Sequence, residues 1–344
     1  MKVINDLLSK MLRRKTIYWF APTLFLFSLL LRIITLDNIN AKIIEELLLS
    51  LIKNFLPISF LALGAGLVLS TAGVDLSSAG VMTITGVIFA SISQYCSSII
   101  FIVLLPLSIS ILIGCLLSKL VYQKVNPLIA SWSLGVILIA TSLFIASFEK
   151  IKGTDQDVEL GSIIHSVEWS FDSPIILFSF TTLFFLVFML NMLNLPSKSK
   201  AVGANIDTAR YLGINVKKII LLVYSFAALC SGIAGILFTI TNNGATTVEH
   251  QGDELIGIAI AVLGGTMMSG GYFNQWSILS AAGFWVITNN ILITVNLPGI
   301  AQEYQNRSAS IVFSLFLLIM LFLFRKKLSQ QTQSILTERK TDDD

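Results

Sequence analysis

A single carboxylate interrupts the most apolar part of this chain. Residues 67–86 read LVLSTAGVDLSSAGVMTITG, so that an apolar run stops at Ser70, Asp75 follows, and a second apolar run resumes at Val81. A carboxylate between two membrane-length segments is costly in lipid, so its side chain is expected to face protein or a water-filled path. Interrupted apolar segments are typical of the working parts of transport proteins.

The polar residues of this first break allow two compatible roles. Gly73 permits a turn, and Asp75 or Ser77 is expected to cap the next helix by accepting backbone N–H bonds. The same groups can line a translocation path, because a broken membrane helix is tolerated where it is shielded by protein or faces a cavity. The residues assigned to this path are Ser70, Thr71, Gly73, Asp75 and Ser77.

A second break is predicted in the other half of the chain. Residues 257–271 read GIAIAVLGGTMMSGG and follow Asp253 and Glu254. Paired glycines allow either close helix packing or a backbone with positive φ. The two breaks occupy roughly corresponding places in the two halves, which hints at a pseudo-repeat. The residues of this break assigned to the path are Gly264, Gly265 and Thr266.

A polar, mildly basic connection covers residues 199–218, SKAVGANIDTARYLGINVKK. A short helix is expected at Asp207 to Leu212, with Asn205 or Asp207 as its N-cap and Gly213 as the residue that ends it. The connection is either a solvated loop or a rigid element that presents a capped helix to a partner protein.

Composition indicates an all-α, polytopic membrane protein. The 344 residues are 55% hydrophobic and 12% charged, whereas soluble domains carry about 25% charged residues. A helix needs about 20 apolar residues to cross a bilayer. Ten candidate spans follow, at 17–36, 52–71, 79–95, 99–118, 128–147, 174–194, 218–240, 255–269, 276–295 and 306–324. The third and eighth are short or broken by glycine, and residues 40–50 are expected to form a separate amphipathic helix in the interface.

Basic clusters predict the orientation. They lie in the N-terminal segment, after the fourth and sixth spans, and directly after the last span. With ten spans all four clusters fall on one face, which the positive-inside rule makes cytoplasmic, together with both termini. The expected organisation is a cytoplasmic segment at 1–16, a transmembrane domain at 17–327 with a cytoplasmic loop at 197–218, and a disordered cytoplasmic tail at 328–344.

No enzyme signature is present. The sequence has no Walker A motif, HExxH, paired-Cys metal box or GxSxG, so the chain has no P-loop of its own for ATP, and no catalytic residue, cofactor or metal is predicted. The three cysteines, Cys96, Cys115 and Cys230, are too scattered for a disulfide framework or a metal site. His165 and His250 are expected to be solvated loop histidines.

Four motifs resemble the permease subunits of bacterial ABC importers for monosaccharides, of the ribose, galactose, arabinose and autoinducer-2 type. LSTAGVDLSSAG at 69–80 is similar to that family's S-T-G-G-I-D-L-S-V-G, and NPLIASWSL at 126–134 is similar to P-x-F-I-A-T-L-G. Residues 201–218 resemble its A-I-G-G-N-x-x-A-A-x-x-S-G-I-N-V-x-R loop. Residues 254–271 resemble E-L-D-A-I-A-A-V-V-I-G-G-T-S-L-S-G-G. The matches run in the family's order from about residue 55 to 325.

The resemblance implies the partners. Two permease subunits, as a homodimer or with a related permease, would form the path in the bacterial inner membrane among the lipids. Two cytoplasmic ATPase subunits would drive it, and an extracytoplasmic binding protein would deliver the sugar; nucleic acid has no role. The 201–218 loop would be the coupling element that sits in a groove of the ATPase. Its coupling residues would be Gly203, Asn205, Asp207, Ala209, Arg210 and Gly213.

The chain departs from the family pattern in four places. Asp207-Thr208 stands where Glu-Ala is usual, Ser78-Ala79 replaces Val-Gly, Ile256-Gly257 replaces Asp-Ala, and residues 271–274 lack the usual basic or small turn. These changes bear on substrate and regulation. A nucleoside-type ABC permease, an ion-coupled secondary transporter and a membrane scaffold or sensor remain as alternatives, although Asp75 alone is a poor relay for ion coupling.

Overall fold

The structure, a computed structural model, describes residues 14–34, 41–150, 158–161, 164, 170, 173–247, 250 and 252–294. These ranges are mostly helical, which confirms the predicted class. The helices are α1 (Arg14–Ile34), α2 (Ala41–Ser70), α3 (Ser78–Tyr95), α4 (Ile99–Tyr122), α5 (Pro127–Lys150), α6 (Pro174–Met192), α7 (Leu195–Ala204), α8 (Ile206–Tyr211), α9 (Val216–Thr241), α10 (Asp253–Leu263) and α11 (Gln275–Thr294). Strands β1 (Val158–Glu159) and β2 (Gly244–Ala245) form an antiparallel ribbon.

Five helices in the described ranges are long and apolar enough to cross a membrane. They are Lys42–Ser70, Ile99–Tyr122, Pro127–Ser147, Pro174–Met192 and Val216–Thr241. The predicted third and eighth spans are the shorter α3, with 18 residues, and α10, with 11 residues. The predicted span at 306–324 and the predicted tail at 328–344 lie outside the described residues, as do residues 1–13.

Helix α5 buries small polar side chains and exposes large apolar ones, as expected for a helix in lipid. Ser131 and Ser142 are fully buried, whereas Trp132 is 60% exposed and Phe144 is 63% exposed. The buried Ser142 hydroxyl donates to the carbonyl of Ile139 at 2.7 Å. Small hydroxyl residues that bond to their own helix let neighbouring helices approach closely, while large apolar side chains suit a lipid surface. The protein is therefore a multi-pass membrane protein.

Helix α9 is the centre of the bundle. It packs against α2, α3 and α4, and its Tyr224 is among the largest fully buried side chains. Helix α10 packs against α2, and α5 packs against α3. Helix α9 thus holds both ends of the first break, because it contacts α2 before the break and α3 after it.

One prediction about a segment boundary was wrong. Residues 40–50 do not form a separate interfacial helix, because α2 runs without interruption from Ala41 to Ser70 through Pro57. The start of the predicted polar loop at 197–218 is helical, as α7 covers Leu195–Ala204. Proline occupies the first turn of α7, where its missing N–H has no helical partner to lose.

The chain divides into two compact units, Met1–Val286 and Ile287–Asp344. The first unit holds α1 to α10 and most of α11, and every residue of the candidate site lies in it. Within the second unit the structure describes residues 287–294, which are the end of α11.

Candidate functional site

The first break begins with a tight turn after α2. The backbone N–H of Ala72 donates to Leu69 O at 2.9 Å, and Ala72 has a φ of 60°, which is uncommon for a residue with a side chain. The Ser70 hydroxyl donates to Leu67 O at 2.6 Å, and the Thr71 hydroxyl donates to Val68 O at 2.7 Å. The hydroxyls of Ser70 and Thr71 therefore donate to their own helix and can only accept hydrogen bonds from other groups.

Asp75 holds the second half of this break. Its buried carboxylate accepts from the Ser77 backbone N–H at 2.8 Å and from the Ser77 hydroxyl at 2.6 Å. Ser77 occupies the N-cap position of α3 without bonding a helix N–H through its side chain. The predicted capping thus takes another form, since the carboxylate closes a turn at the entrance of α3 rather than capping its first amides.

Ser131 of α5 is a contact of this break that the sequence did not single out. The backbone N–H of Leu76 donates to the Ser131 hydroxyl oxygen at 3.0 Å. Ser131 lies in the NPLIASWSL segment and is fully buried. A buried backbone N–H needs a partner, so this serine replaces the helical acceptor that the break removes.

Tyr224 of α9 closes the break from the other side, and its position inside an apolar run gave no signal of this role. A Cβ added at Gly73 would lie 2.5 Å from the Tyr224 hydroxyl oxygen. That hydroxyl is buried and has no hydrogen-bond partner among the described residues. Gly73 is therefore required by the space that the phenol occupies.

This contact predicts the effect of adding a methyl group at residue 73. We expect Gly73→Ala to destabilise the protein by about 1–3 kcal/mol through overpacking, seen as a lower midpoint of thermal unfolding in detergent. Tyr224→Phe removes the clashing oxygen together with an unpaired buried hydroxyl, so it should not lower that midpoint.

The double variant Gly73→Ala/Tyr224→Phe provides the control. It should unfold at a higher temperature than Gly73→Ala alone. Simple addition of the two single effects would show that the methyl group and the phenol do not meet.

The second break follows the end of α10. The N–H of Gly265 donates to Val262 O at 2.9 Å, and the N–H of Thr266 donates to Ala261 O at 3.0 Å. With a φ of 87° at Gly265, this is a Schellman C-cap. It stops α10 at Leu263, six residues short of the predicted end of the span. Thr266 is buried, and its hydroxyl has no partner among the described residues.

The two breaks lie against each other. The backbone N–H of Gly271 donates to the carbonyl oxygen of Ser70 at 3.0 Å. This bond joins residues that are 201 positions apart in the chain. The ends of the two breaks are thus in direct contact, whereas Gly264 packs on Ile278 of α11.

The segment after α7 forms the predicted short helix. Asn205 is its N-cap, and its side-chain oxygen accepts from the N–H groups of Asp207 and Thr208, both at 2.9 Å. Arg210 donates to Asp207 at 3.0 Å on the exposed face. Of the two possible caps, Asn205 is the correct one, and Asp207 instead stands in the first turn, where a negative charge is favourable.

Gly213 ends this helix, as predicted. It has a φ of 77°, its N–H donates to Arg210 O at 2.9 Å, and the N–H of Ile214 donates to Ala209 O at 3.0 Å. Ala209 is buried, whereas Tyr211 is 92% exposed and Leu212 is 71% exposed. A capped helix that is closed at both ends therefore presents two large apolar side chains outward.

Another cluster surrounds His250, which was predicted to be solvated and is buried. Its Nδ1 lies 3.1 Å from an Asp253 carboxylate oxygen, and its ring lies 5.2 Å from that of Phe238. The expectation was wrong because a polar connection can fold back on the helix that precedes it. His165 lies outside the described residues.

Helix packing, inverted polarity and two broken helices define a multi-pass membrane protein built for transport. A family model described as "Branched-chain amino acid transport system / permease component" matches residues 47–324. The chain belongs to this family of transport permease components, which are not catalytic enzymes.

Named relatives are sugar permeases. The chain is 30% identical to a galactofuranose transporter permease protein of Escherichia coli K12 over 67% of either chain. It is 28% identical to the ribose import permease protein of the same strain, over 76% of this chain and 81% of the relative. With the ribose import permease protein of Bacillus subtilis, identity is 25% over 89% of this chain and 92% of the relative. No significant match was found among solved structures.

Proposed function

We propose that this chain is the permease subunit of an ATP-driven importer for a monosaccharide or a similar small polar solute, in the inner membrane of a bacterium. The observation that carries the proposal is the agreement between the family match at 47–324 and relatives named for galactofuranose, ribose and allose. The compact, doubly capped helix α8 supports it, because an importer without a P-loop needs a surface for a separate ATPase.

The topology that goes with this function has ten spans and both termini in the cytoplasm. It places the end of the second span, the loop after the sixth and the connection between the eighth and ninth on the cytoplasmic side. Ser70, Gly203 and Gly271, which come from these three places, lie together. On the opposite side it places the third span's end and the 148–173 loop, and there Gln94 donates to Glu159 O at 2.8 Å. The permease domain is 17–327, between a cytoplasmic segment at 1–16 and a tail at 328–344.

The coupling element is the cytoplasmic loop at 197–218. Its helix α8 would dock in the ATPase through the exposed Tyr211 and Leu212. Asn205, Asp207 and Arg210 fix the start and outer face of α8 by the hydrogen bonds described above. Ala209 anchors its inner face, and Gly213 ends it. ATP binding would close the two partner subunits on each other. This closure would move α8 and switch the spans between outward and inward access.

A neutral solute needs a hydrated polar path and few charges. We assign the path to the neighbourhood of the two breaks, with acceptor oxygens at Ser70 and Thr71 and a hydroxyl without a described partner at Thr266. Gly264 and Gly265 fix the end of α10 beside it. Asp75 and Ser77 set the turn into α3 rather than holding the solute. A second permease copy and an extracytoplasmic binding protein complete the importer.

Purification of the complex from its native membrane tests the proposal. Mild detergent extraction of a tagged chain should recover an ATPase subunit in equal amount, and mass spectrometry should identify it. Recovery of the chain without any ATPase, under conditions that preserve a known ABC importer, would contradict the proposal.

Import of a branched-chain amino acid is a second candidate, because the family description names that substrate class. The relatives favour a sugar. Uptake by the same reconstituted complex distinguishes the two: radiolabelled ribose, allose and fructose are compared with radiolabelled leucine. Uptake of leucine alone would replace the sugar assignment and leave the importer assignment intact.

A further inference from the structure

Three segments that are distant in the chain meet through their backbones beside the coupling helix. We define the junction as Ser70 and Ala72 of the first break, Gly203 at the end of α7, and Gly270 and Gly271 of the second break. The hydrogen bond from Gly271 N–H to Ser70 O joins the two breaks. Gly203 lies three residues before Ile206, the first residue of α8, so the junction is close to this helix along the chain.

Gly203 is in contact with both breaks at once. A Cβ added there would overlap the Ser70 carbonyl oxygen, and it would lie 2.9 Å from the backbone nitrogen of Gly271. From the other side, a Cβ at Gly270 would lie 2.8 Å from the Gly203 carbonyl oxygen and 2.9 Å from the Ala72 nitrogen. The Ala72 methyl group also lies 2.9 Å from the Cβ position at Gly270, and it is the one side-chain atom among these nearest contacts of Gly203 and Gly270.

A contact between backbones absorbs less of a displacement than a contact between side chains. Side chains at an ordinary helix contact can change rotamer and absorb a shift, whereas backbones in van der Waals contact have no such freedom. A movement of α7 towards the breaks must therefore displace Ser70 and Gly271, which their own hydrogen bond holds together. Packed contacts of this kind move as rigid bodies rather than deform continuously.

We infer that Gly203 is a positioning residue that joins the coupling segment to both helix breaks, so that the three move as one body during transport. The inference rests on the proposed function, because it assumes that an ATPase moves α8. In this arrangement the exposed residues of α8 contact the ATPase, and Gly203 transfers the movement of α8 to the two breaks. A shared contact with Gly203 also explains why Ser70 of the first break and Gly271 of the second lie together.

A disulfide tests whether the junction moves as one body. The Ala204 Cβ lies 3.5 Å from the Cβ position built at Gly271, which falls in the range of disulfide-bonded residues. In the double variant Ala204→Cys/Gly271→Cys, copper-phenanthroline should form a cross-link between α7 and the second break. ATP-dependent uptake of radiolabelled ribose, allose or fructose in proteoliposomes should stay within twofold of that of the reduced sample, with the two single cysteine variants as controls.

Loss of uptake on oxidation, with recovery on reduction, would overturn the inference, because it would show that the coupling segment must leave the second break. Because Gly271 has a φ of 82°, the reduced double variant is first shown to unfold at the temperature of the wild type. Failure of the cross-link to form in a variant that passes this check would overturn the inference as well.

Gly203→Ala tests the transfer of movement with a different variant. The added methyl group should separate α7 from the breaks, so that uptake falls at least tenfold while ATPase association and ATP hydrolysis stay within twofold of wild type. The number of ATP molecules hydrolysed per solute imported should therefore rise. Unfolding would lower hydrolysis and uptake together and would not raise this ratio. Ala201→Ser, on the same helix, adds one atom outside the junction and should leave the ratio unchanged.

A normal ratio in Gly203→Ala would overturn the inference and leave the proposed function standing. A wild-type complex that shows no ATP-dependent uptake would instead overturn the proposed function, so the two failures are distinguishable. If Gly203→Ala does not assemble with the ATPase, uptake by the oxidised Ala204→Cys/Gly271→Cys variant tests the inference instead.

Discussion

Replacing Asp75 by alanine is expected to lower uptake at least tenfold and to destabilise the permease. The carboxylate accepts two hydrogen bonds from Ser77, at 2.8 Å from its N–H and at 2.6 Å from its hydroxyl. Asp75 and Ser77 are both buried, so alanine would leave two donors without a partner. The cost of one such donor is about 1–3 kcal/mol. Without the turn, the start of α3 loses its fixed direction against α5.

Asp75→Asn separates the hydrogen bonds from the charge. Asparagine keeps a side-chain oxygen that can accept both bonds, so we expect uptake within threefold of wild type and a higher unfolding temperature than that of Asp75→Ala. Ser77→Ala, which removes the hydroxyl and leaves the backbone bond, should fall between them. If Asp75→Asn is as inactive as Asp75→Ala, the charge itself is needed, and the structural role assigned to Asp75 is wrong.

Gly213→Pro is expected to uncouple transport while the bundle stays folded. Proline fixes φ near −65°, whereas Gly213 has a φ of 77°, and it removes the N–H that donates to Arg210 O. It also disfavours the helical conformation of the preceding Leu212. The end of α8 should therefore unwind, and ATP-dependent uptake should fall at least tenfold. The thermal unfolding midpoint should change little, because a Cβ at Gly213 would meet nothing within 4 Å.

Gly213→Asn is the matched control, since asparagine tolerates positive φ better than other residues with side chains. It should retain most of the uptake and the association with the ATPase, measured by co-purification. Normal uptake by Gly213→Pro would contradict the coupling role of this helix end. A large drop in its unfolding midpoint would show that the helix end supports the bundle rather than the coupling.

Local signals predicted the ends of helices well in this chain. Ser70 and Ser78 bound the first break within a residue of the expected positions, and Asn205 and Gly213 cap α8. These features depend on residues close in sequence, namely polar caps and glycine at positive φ. The apolar runs that identified the spans are equally local. They do not show where α10 stops, because Gly264 and Gly265 also suit close helix packing.

Contacts between distant segments were not predictable from the sequence. The roles of Ser131 and Tyr224 depend on how α5 and α9 pack against the first break, and a serine or tyrosine in an apolar run gives no indication of its neighbour. The junction at Gly203 depends on three backbones that approach within contact distance. Glycine pairs raise the possibility of such an approach, and only the tertiary structure identifies the partner.

The most direct test of the account is uptake by proteoliposomes that contain the chain, its ATPase and its binding protein. Radiolabelled ribose, allose and fructose are supplied on the outer face, with MgATP enclosed or absent. The account predicts uptake of at least one of these sugars that requires MgATP, stops with orthovanadate and persists with a protonophore. Uptake that proceeds without ATP and collapses with the protonophore would contradict it and indicate an ion-coupled carrier.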